Sequence, residues 1–307
     1  MSALPATAAA VTPPRSRNRA WGKFKRNHVA MLGLGIVLFF VLVALLAPLI
    51  ASQDPFQTSF TTIRKAPSAA HWLGTDELGR DIFSRMVHGA RASLMAGLVS
   101  VLIALVVGVP FGLAAGYFGG WTDSCISRAT EALLAIPFLI LAIALAAFLG
   151  PSLTNAMIAI GVSAAPKFIR LTRGQVLAVK SEDYVQSARA LGASDLRIIC
   201  RHVFPNVMPP LIVQATITIA TAIIAEASLS FLGLGLQPPN PSWGSMLNTA
   251  KNFMTQAPWM SIFPGSAIFL VVLGSICWAT GCAMRWIPVR TSNHHGNHGP
   301  QTRRPGQ

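Results

Sequence analysis

Apolar residues fall in long blocks separated by polar connections, with neither the alternation of a strand nor the single stripe of a surface helix. Val29–Ala51 is apolar over about 23 residues, ~34 Å as a helix, which is enough to cross a bilayer. Five further blocks follow at Ser93–Phe118, Ala129–Leu149, Ala156–Ile169, Val207–Leu236 and Ser261–Met284. Inside a bilayer every backbone polar group must be satisfied within its own segment, so blocks of this length predict helices. The expectation is an all-α polytopic membrane protein with six transmembrane helices. The first block is too long for a signal-peptide core, and no A-x-A site closes it.

This division gives an N-terminal arm at 1–28, a first span at 29–51 and an external or interfacial segment at 52–92. A core of five helices at 93–284 contains a polar loop at 171–206, and a disordered tail occupies 285–307. The fourth block is short and ends in Lys167 and Arg170, whose stems can snorkel to the interface. Six crossings put both termini on one side, and the basic residues choose which. The arm carries Arg15, Arg17, Arg19, Lys23, Lys25 and Arg26. The polar loop carries Arg173, Lys180, Arg189, Arg197 and Arg201, while Gly150–Asn155 carries none. The excess of positive charge predicts that both termini and the loop are cytoplasmic. Arg64, Lys65, Arg80, Arg85 and Arg91 run against that trend, but a long external segment weighs little in it.

Composition removes other classes. Charged residues make up 11% of the 307, well under the ~25% of soluble domains. The net charge of +14 lies beside the apolar blocks, where it orients a membrane protein and does not mark a nucleic-acid surface. Cys125, Cys200, Cys277 and Cys282 form no CxxC pair and read as free thiols. The chain has no GxxxxGK[ST] run, no GxSxG and no HExxH, so no nucleotide site, hydrolase or zinc peptidase is expected, and no cofactor. His294, His295 and His298 in the tail make a poor metal site. Asp76, Glu77, Arg80, Asp81 and Arg85 have the spacing of surface ion pairs on a helix, and Arg128 and Glu131 that of a local i,i+3 pair. Glu226 lies inside an apolar block. It reads either as a polar group on a translocation path or as a partner to a neighbouring helix.

The polar loop holds the densest signal. Ser181 can cap a helix with Glu182 and Asp183 in its first turn, running to Leu191, where Gly192 suits the left-handed position that ends it. Ser194 can cap a second helix with Leu196, Ile199, Cys200 and Val203 on one face and Arg197 and Arg201 on the other, closed by Pro205. Ala188, Ala190 and Leu191 leave a small-residue surface that another protein can approach closely.

This loop resembles that of binding-protein-dependent ABC importer permeases, whose pattern is E-A-A, three residues, G, nine residues, I-x-L-P. Aligned on Gly192 and Pro205, the first triplet is Gln186, Ser187 and Ala188, and His202 and Phe204 stand where the pattern has Ile and Leu. With Gln186 in place of Glu, the charged contact of the family is not carried over. His71–Leu94 (HWLGTDELGRDIFSRMVHGARASL) and Glu226–Leu247 (EASLSFLGLGLQPPNPSWGSML) resemble the dipeptide, oligopeptide and nickel branch of the same family. The resemblance implies a type I ABC importer permease fold in a bacterial inner membrane. It implies a homologous second permease, two ATPase subunits and a periplasmic solute-binding protein as partners, with no bond chemistry in this chain. Gln186, Ser187, Ala188, Ala190, Leu191, Gly192 and Pro205 then become the ATPase-coupling residues. Di- or oligopeptides are the expected cargo, with nickel or glutathione-like molecules as alternatives. A stand-alone secondary transporter is the competing class, but it would need coupling-ion carboxylates or paired interrupted helices.

After Gly274 the resemblance breaks off: Ser275–Val289 replaces the acidic ending usual in this branch. Back-translated with GC-rich codons and read from the third base of the first, it gives DLLGDGLRDALDPR. A displaced reading frame near Gly274 is the expectation drawn from that.

Overall fold

The computed structural model describes residues 27–286, and describes 282–286 by backbone alone. The basic arm up to Arg26 and the tail from 287, with His294, His295 and His298, lie outside the described residues. Among the described residues there is no β-strand, only an isolated bridge between Thr75 and Asp81. The helices are α1 (His28–Leu45), α2 (Ile82–Phe118), α3 (Gly120–Leu134), α4 (Phe138–Leu149), α5 (Leu153–Lys180), α6 (Asp183–Ala190), α7 (Asp195–Phe231), α8 (Trp243–Ala250) and α9 (Trp259–Trp286). A single further turn at Ala47–Ile50 follows α1.

Local chemistry sets several of these ends. Asn27 caps α1, its side-chain oxygen accepting from the backbone of Val29 at 3.1 Å and Ala30 at 3.2 Å. Asp81 caps α2 by accepting from Ser84 N at 2.8 Å. Ser152 caps α5 and accepts from Asn155 N at 3.0 Å. Pro137 separates α3 from α4, and the two meet at a bend of 93°.

The centre of the bundle is the seam between α2 and α5. Gly108, Gly112 and Gly116 recur every fourth residue on one face of α2. A Cβ there would sit 2.6 Å from Phe168 Cβ, 2.5 Å from Thr172 Cβ and 2.7 Å from Val176 Cβ respectively. Only glycine lets the two backbones approach this closely, as small-xxx-small faces do inside membranes. Around the seam a core of Ala104, Ala159, Ile160, Phe168, Val207 and Leu229 joins α7. On the other flank α1 packs against α9, where Gly33 faces the backbone of Gly274 and Trp278.

Among the described residues four helices are long and apolar enough to cross a membrane, α1, α2, α7 and α9, and five if the bent pair α3–α4 counts as one crossing. The fourth block, expected at Ala156–Ile169, is part of α5, which continues to Lys180. Its charged residues hold it short of a span by composition, and those charges have protein partners. Lys167 stands 4.8 Å over the Phe138 ring and Arg173 pairs with Asp123 at 2.5 Å. The second block also starts earlier than expected, at Ile82 and not Ser93, because Ser84 and Arg85 are buried within the protein. Hydropathy cannot distinguish a polar residue hidden by protein from one in water. Arg128 and Glu131 do not form the pair their spacing suggests; Asp123, on the same helix, holds Arg173. Cys125, Cys200 and Cys277 are free.

Candidate functional site

The connection between α5 and α7 folds into a short knob. Ser181 does not cap α6. It closes the end of α5, its hydroxyl donating to Ala178 O at 2.9 Å, and Glu182 takes the N-cap position. Asp183 and Arg189 then stand at the ends of α6 that suit their charges. At the far end Gly192 adopts φ +78°, its N–H bonds Arg189 O at 3.0 Å and Ala193 N–H bonds Ala188 O at 3.1 Å. That paired closure is a Schellman motif, and it fixes where the next helix begins.

The entry to α7 departs from the expected pattern. Pro205 does not end a helix; α7 runs through it. A π turn at Ile199–Val203 widens the ladder just before the proline, which has no N–H to offer. The Asn206 side chain donates to His202 O at 2.7 Å, an added bond in the same turn. The extra residue rotates the face. Ile198, Val203 and Val207 are buried, while Leu196 and Cys200, expected inside, are exposed.

The knob is seated by few apolar groups. Val185 is buried in the core with Ile198 and Val203, and Ala188 and Ala193 pack against them. Gln186, Ser187, Ala190, Leu191, Gly192 and Pro205 are exposed, Leu191 at 87%. A shallow concavity lies along α6 between Tyr184, Ser187, Ala188, Leu191 and His202. Burial, then the Glu182 carboxylate, raises the Tyr184 phenol above its ordinary value, so it stays neutral.

Sequence reasoning missed the polar anchor beneath the knob. Tyr117, at the end of α2, donates its hydroxyl to Asp195 Oδ1 at 2.6 Å and accepts from Arg189 Nη2 at 3.3 Å. Lys180 Nζ donates to Tyr117 O at 2.5 Å. A tyrosine next to an apolar helix end is ordinary in a sequence, and only the fold brings positions 117, 180, 189 and 195 together.

Glu226 lies elsewhere and has no accessible surface. Its Oε1 accepts from Ser230 Oγ at 2.7 Å, and Ser93 of α2 and Ser242 at the start of α8 stand beside it. Oε2 is buried and closes no hydrogen bond among the described residues. In this conformation Glu226 joins α2, α7 and α8 and lines no open path. Trp243 completes that joint, its indole donating to Met86 O at 3.0 Å while its ring meets Phe40 edge-on at 5.5 Å.

Residues 108–287 match the family described as binding-protein-dependent transport system inner membrane component. Residues 17–67 match the N-terminal transmembrane domain of oligopeptide transport permease C. A dipeptide transport system permease protein of Alkalihalophilus pseudofirmus is 47% identical over 265 residues, 86% of this chain and 86% of that protein. A glutathione transport system permease protein of Escherichia coli O157:H7 is 45% identical over 254 residues, 82% of this chain and 84% of that one. Among solved structures, an inward-facing methionine ABC transporter aligns with TM-score 0.54 and 22% identity, over 66% of this chain and 97% of the other, a similarity of fold.

Proposed function

This chain belongs to the inner membrane components of binding-protein-dependent transport systems, and we propose that its cargo is di- or oligopeptides, moved by alternating access. It is a multi-pass permease subunit of an ABC importer and not a catalytic enzyme. The family works with ATPase and substrate-binding partners. In our reading a second, homologous permease completes the pore and two ATPase subunits dock on the α6 side. A periplasmic receptor delivers cargo to the opposite face. The basic arm and the α6 knob are cytoplasmic on the positive-inside argument.

The observation that carries the coupling role is the knob itself, a helix closed by its own Schellman motif, whose one fully buried side chain is Val185 and whose Leu191 is almost fully exposed. ATP-driven closure of the ATPases displaces α6, and the bundle follows. Glu226 braces the helices that must move together and does not touch cargo. Similarity to the dipeptide permease of A. pseudofirmus supports dipeptides as cargo, and similarity to the E. coli glutathione permease makes that tripeptide the second reading.

The test is uptake into proteoliposomes holding the complete complex and its receptor. A labelled dipeptide should accumulate only with ATP and be displaced by unlabelled dipeptide better than by glutathione. Displacement by glutathione alone moves the cargo to the second reading, and ATP-independent uptake overturns the importer. Crosslinkers placed at Ala188 or Leu191 should capture the ATPase subunit.

A further inference from the structure

An eight-residue helix seated by apolar contacts can push on what lies beneath it, but apolar contacts are non-directional and resist rotation or withdrawal weakly. Directional bonds must carry those components. All of them that the knob makes to α2 converge on one residue. Tyr117 is buried, 3% exposed, at the end of α2. Its hydroxyl donates to the first residue of α7, Asp195, and accepts from the last turn of α6, Arg189; its carbonyl accepts from the last residue of α5, Lys180. The Lys180 ammonium and Arg189 guanidinium also face its ring, at 5.5 and 5.7 Å from the centroid. One phenol therefore ties both ends of the knob to α2, and the glycine seam makes α2 and α5 a single rigid pair.

We propose that Tyr117 is a positioning residue for transport: it locks α6 and the start of α7 to the α2–α5 pair, so that displacement of α6 carries that pair with it. The inference rests on the coupling role given to α6 above. The hydroxyl acts as a relay, donating to a carboxylate and accepting from a guanidinium, which phenylalanine cannot do. Asp195 and Arg189 are both exposed and can hydrate once the hydroxyl is gone, so the bonds hold little of the folding stability. What they hold is the relative placement of four helix ends.

The experiment uses the full complex in proteoliposomes, with ATP hydrolysis and substrate uptake measured in the same vesicles. If the wild-type complex shows no ATP-dependent uptake, the importer reading fails independently of Tyr117. Given wild-type coupling, Tyr117→Phe should lower uptake about tenfold, the factor that ~1.4 kcal/mol of lost charge-assisted hydrogen bonding gives. ATP hydrolysis should fall much less, because α6 keeps its apolar seat, so ATP consumed per substrate rises. Asp195→Ala should act in the same direction, and the double variant should be no worse than Tyr117→Phe alone, since the phenylalanine has already removed the bond to Asp195. A wild-type ratio of ATP to substrate in both single variants overturns the proposal. So does a parallel fall of uptake and hydrolysis, the mark of a merely structural role. Should Tyr117→Phe fail to insert, Asp195→Ala carries the same readout.

Discussion

The two ends of α2 are built on opposite principles. At its start, the turn at 76–81 and Arg85 hold most of their charges against the bundle, while Asp54, Phe60, Lys65 and Trp72 of the preceding stretch stay exposed. Asp76 and Arg85 are 5% and 6% exposed, and Asp76 holds Arg80 at 2.6 Å and Arg85 at 3.5 Å. Arg80 reaches Glu77 at 2.7 Å, His71 meets Asp81 at 3.1 Å, and Arg85 also donates to Pro55 O and Pro239 O. Burial, with Asp76 beside it, raises the Glu77 carboxyl above its ordinary value. At its finish, the knob leaves Arg197, Arg201 and the apolar Leu191 and Leu196 in the open. Buried, paired charges such as those of Asp76, Arg80 and Arg85 mark a joint that is complete, and exposed large apolar groups among exposed basic ones, as on the knob, mark a surface open to a partner. The first end should therefore respond to mutation through stability, and the second through assembly.

The largest effect belongs to Asp76. One carboxylate accepts from Leu78 N at 3.0 Å, Arg80 N at 2.9 Å and Arg80 Nε at 2.6 Å. Asp76→Ala takes the carboxylate partner from buried Arg85 and leaves buried Arg80 with Glu77 alone, and should lower stability by about 3–5 kcal/mol, the usual cost of removing one side of a buried pair. Thermal unfolding in detergent measures it. A melting temperature within a degree or two of wild type would mean that the turn at 76–81 is not closed by its charges.

A glycine at each end sharpens the contrast. Gly79 and Gly192 have nearly the same backbone, φ +73° and +78°. A Cβ at Gly192 meets nothing within 4 Å, whereas one at Gly79 runs into the carbonyl of Ser59. Gly192→Ala should cost only the left-handed strain, ~1–2 kcal/mol. Gly79→Ala adds a backbone collision to the same strain and should cost clearly more. Equal losses in parallel melts would show that the two ends are packed alike.

Much of this was legible in the sequence. The apolar blocks gave the long helices, and the Gly192 signal gave the end of α6, because both depend on local rules of burial and backbone conformation. What was not legible depends on who stands across from a residue. Asp81 and Arg85 have the spacing of an ion pair. In the fold Asp81 caps α2 and binds His71, while Arg85 turns to Asp76, since positions 76–81 form a turn and not a helix. Pro205 looked like a stop and is carried by a π turn. The long α5 was hidden because Arg173 and Lys180 find partners on α3 and α2. Past Gly274 the family match continues to 287 and Ala279 is buried in α9, so small and apolar letters there still serve the helix. We retain the displaced frame as a proposal for those positions; an uninterrupted frame in genomic DNA across the Gly274 codon removes it.

The smallest expected change in stability is also the sharpest test of the contrast. Leu191 touches little of its own chain, so Leu191→Ser should alter the unfolding free energy of the isolated permease by no more than about 0.5 kcal/mol, as for other surface positions. If the knob is an unfinished surface, the same substitution removes an apolar group from the centre of an interface, where single truncations reach about 2 kcal/mol or more. Co-purification of ATPase subunits should then drop while the melt of the permease alone stays put. Loss of both together would mean that Leu191 serves the fold and the knob ends no differently from the buried end of α2. Loss of neither would move the contact to Tyr184 and Ser187, across the concavity, where the same pair of measurements can be repeated.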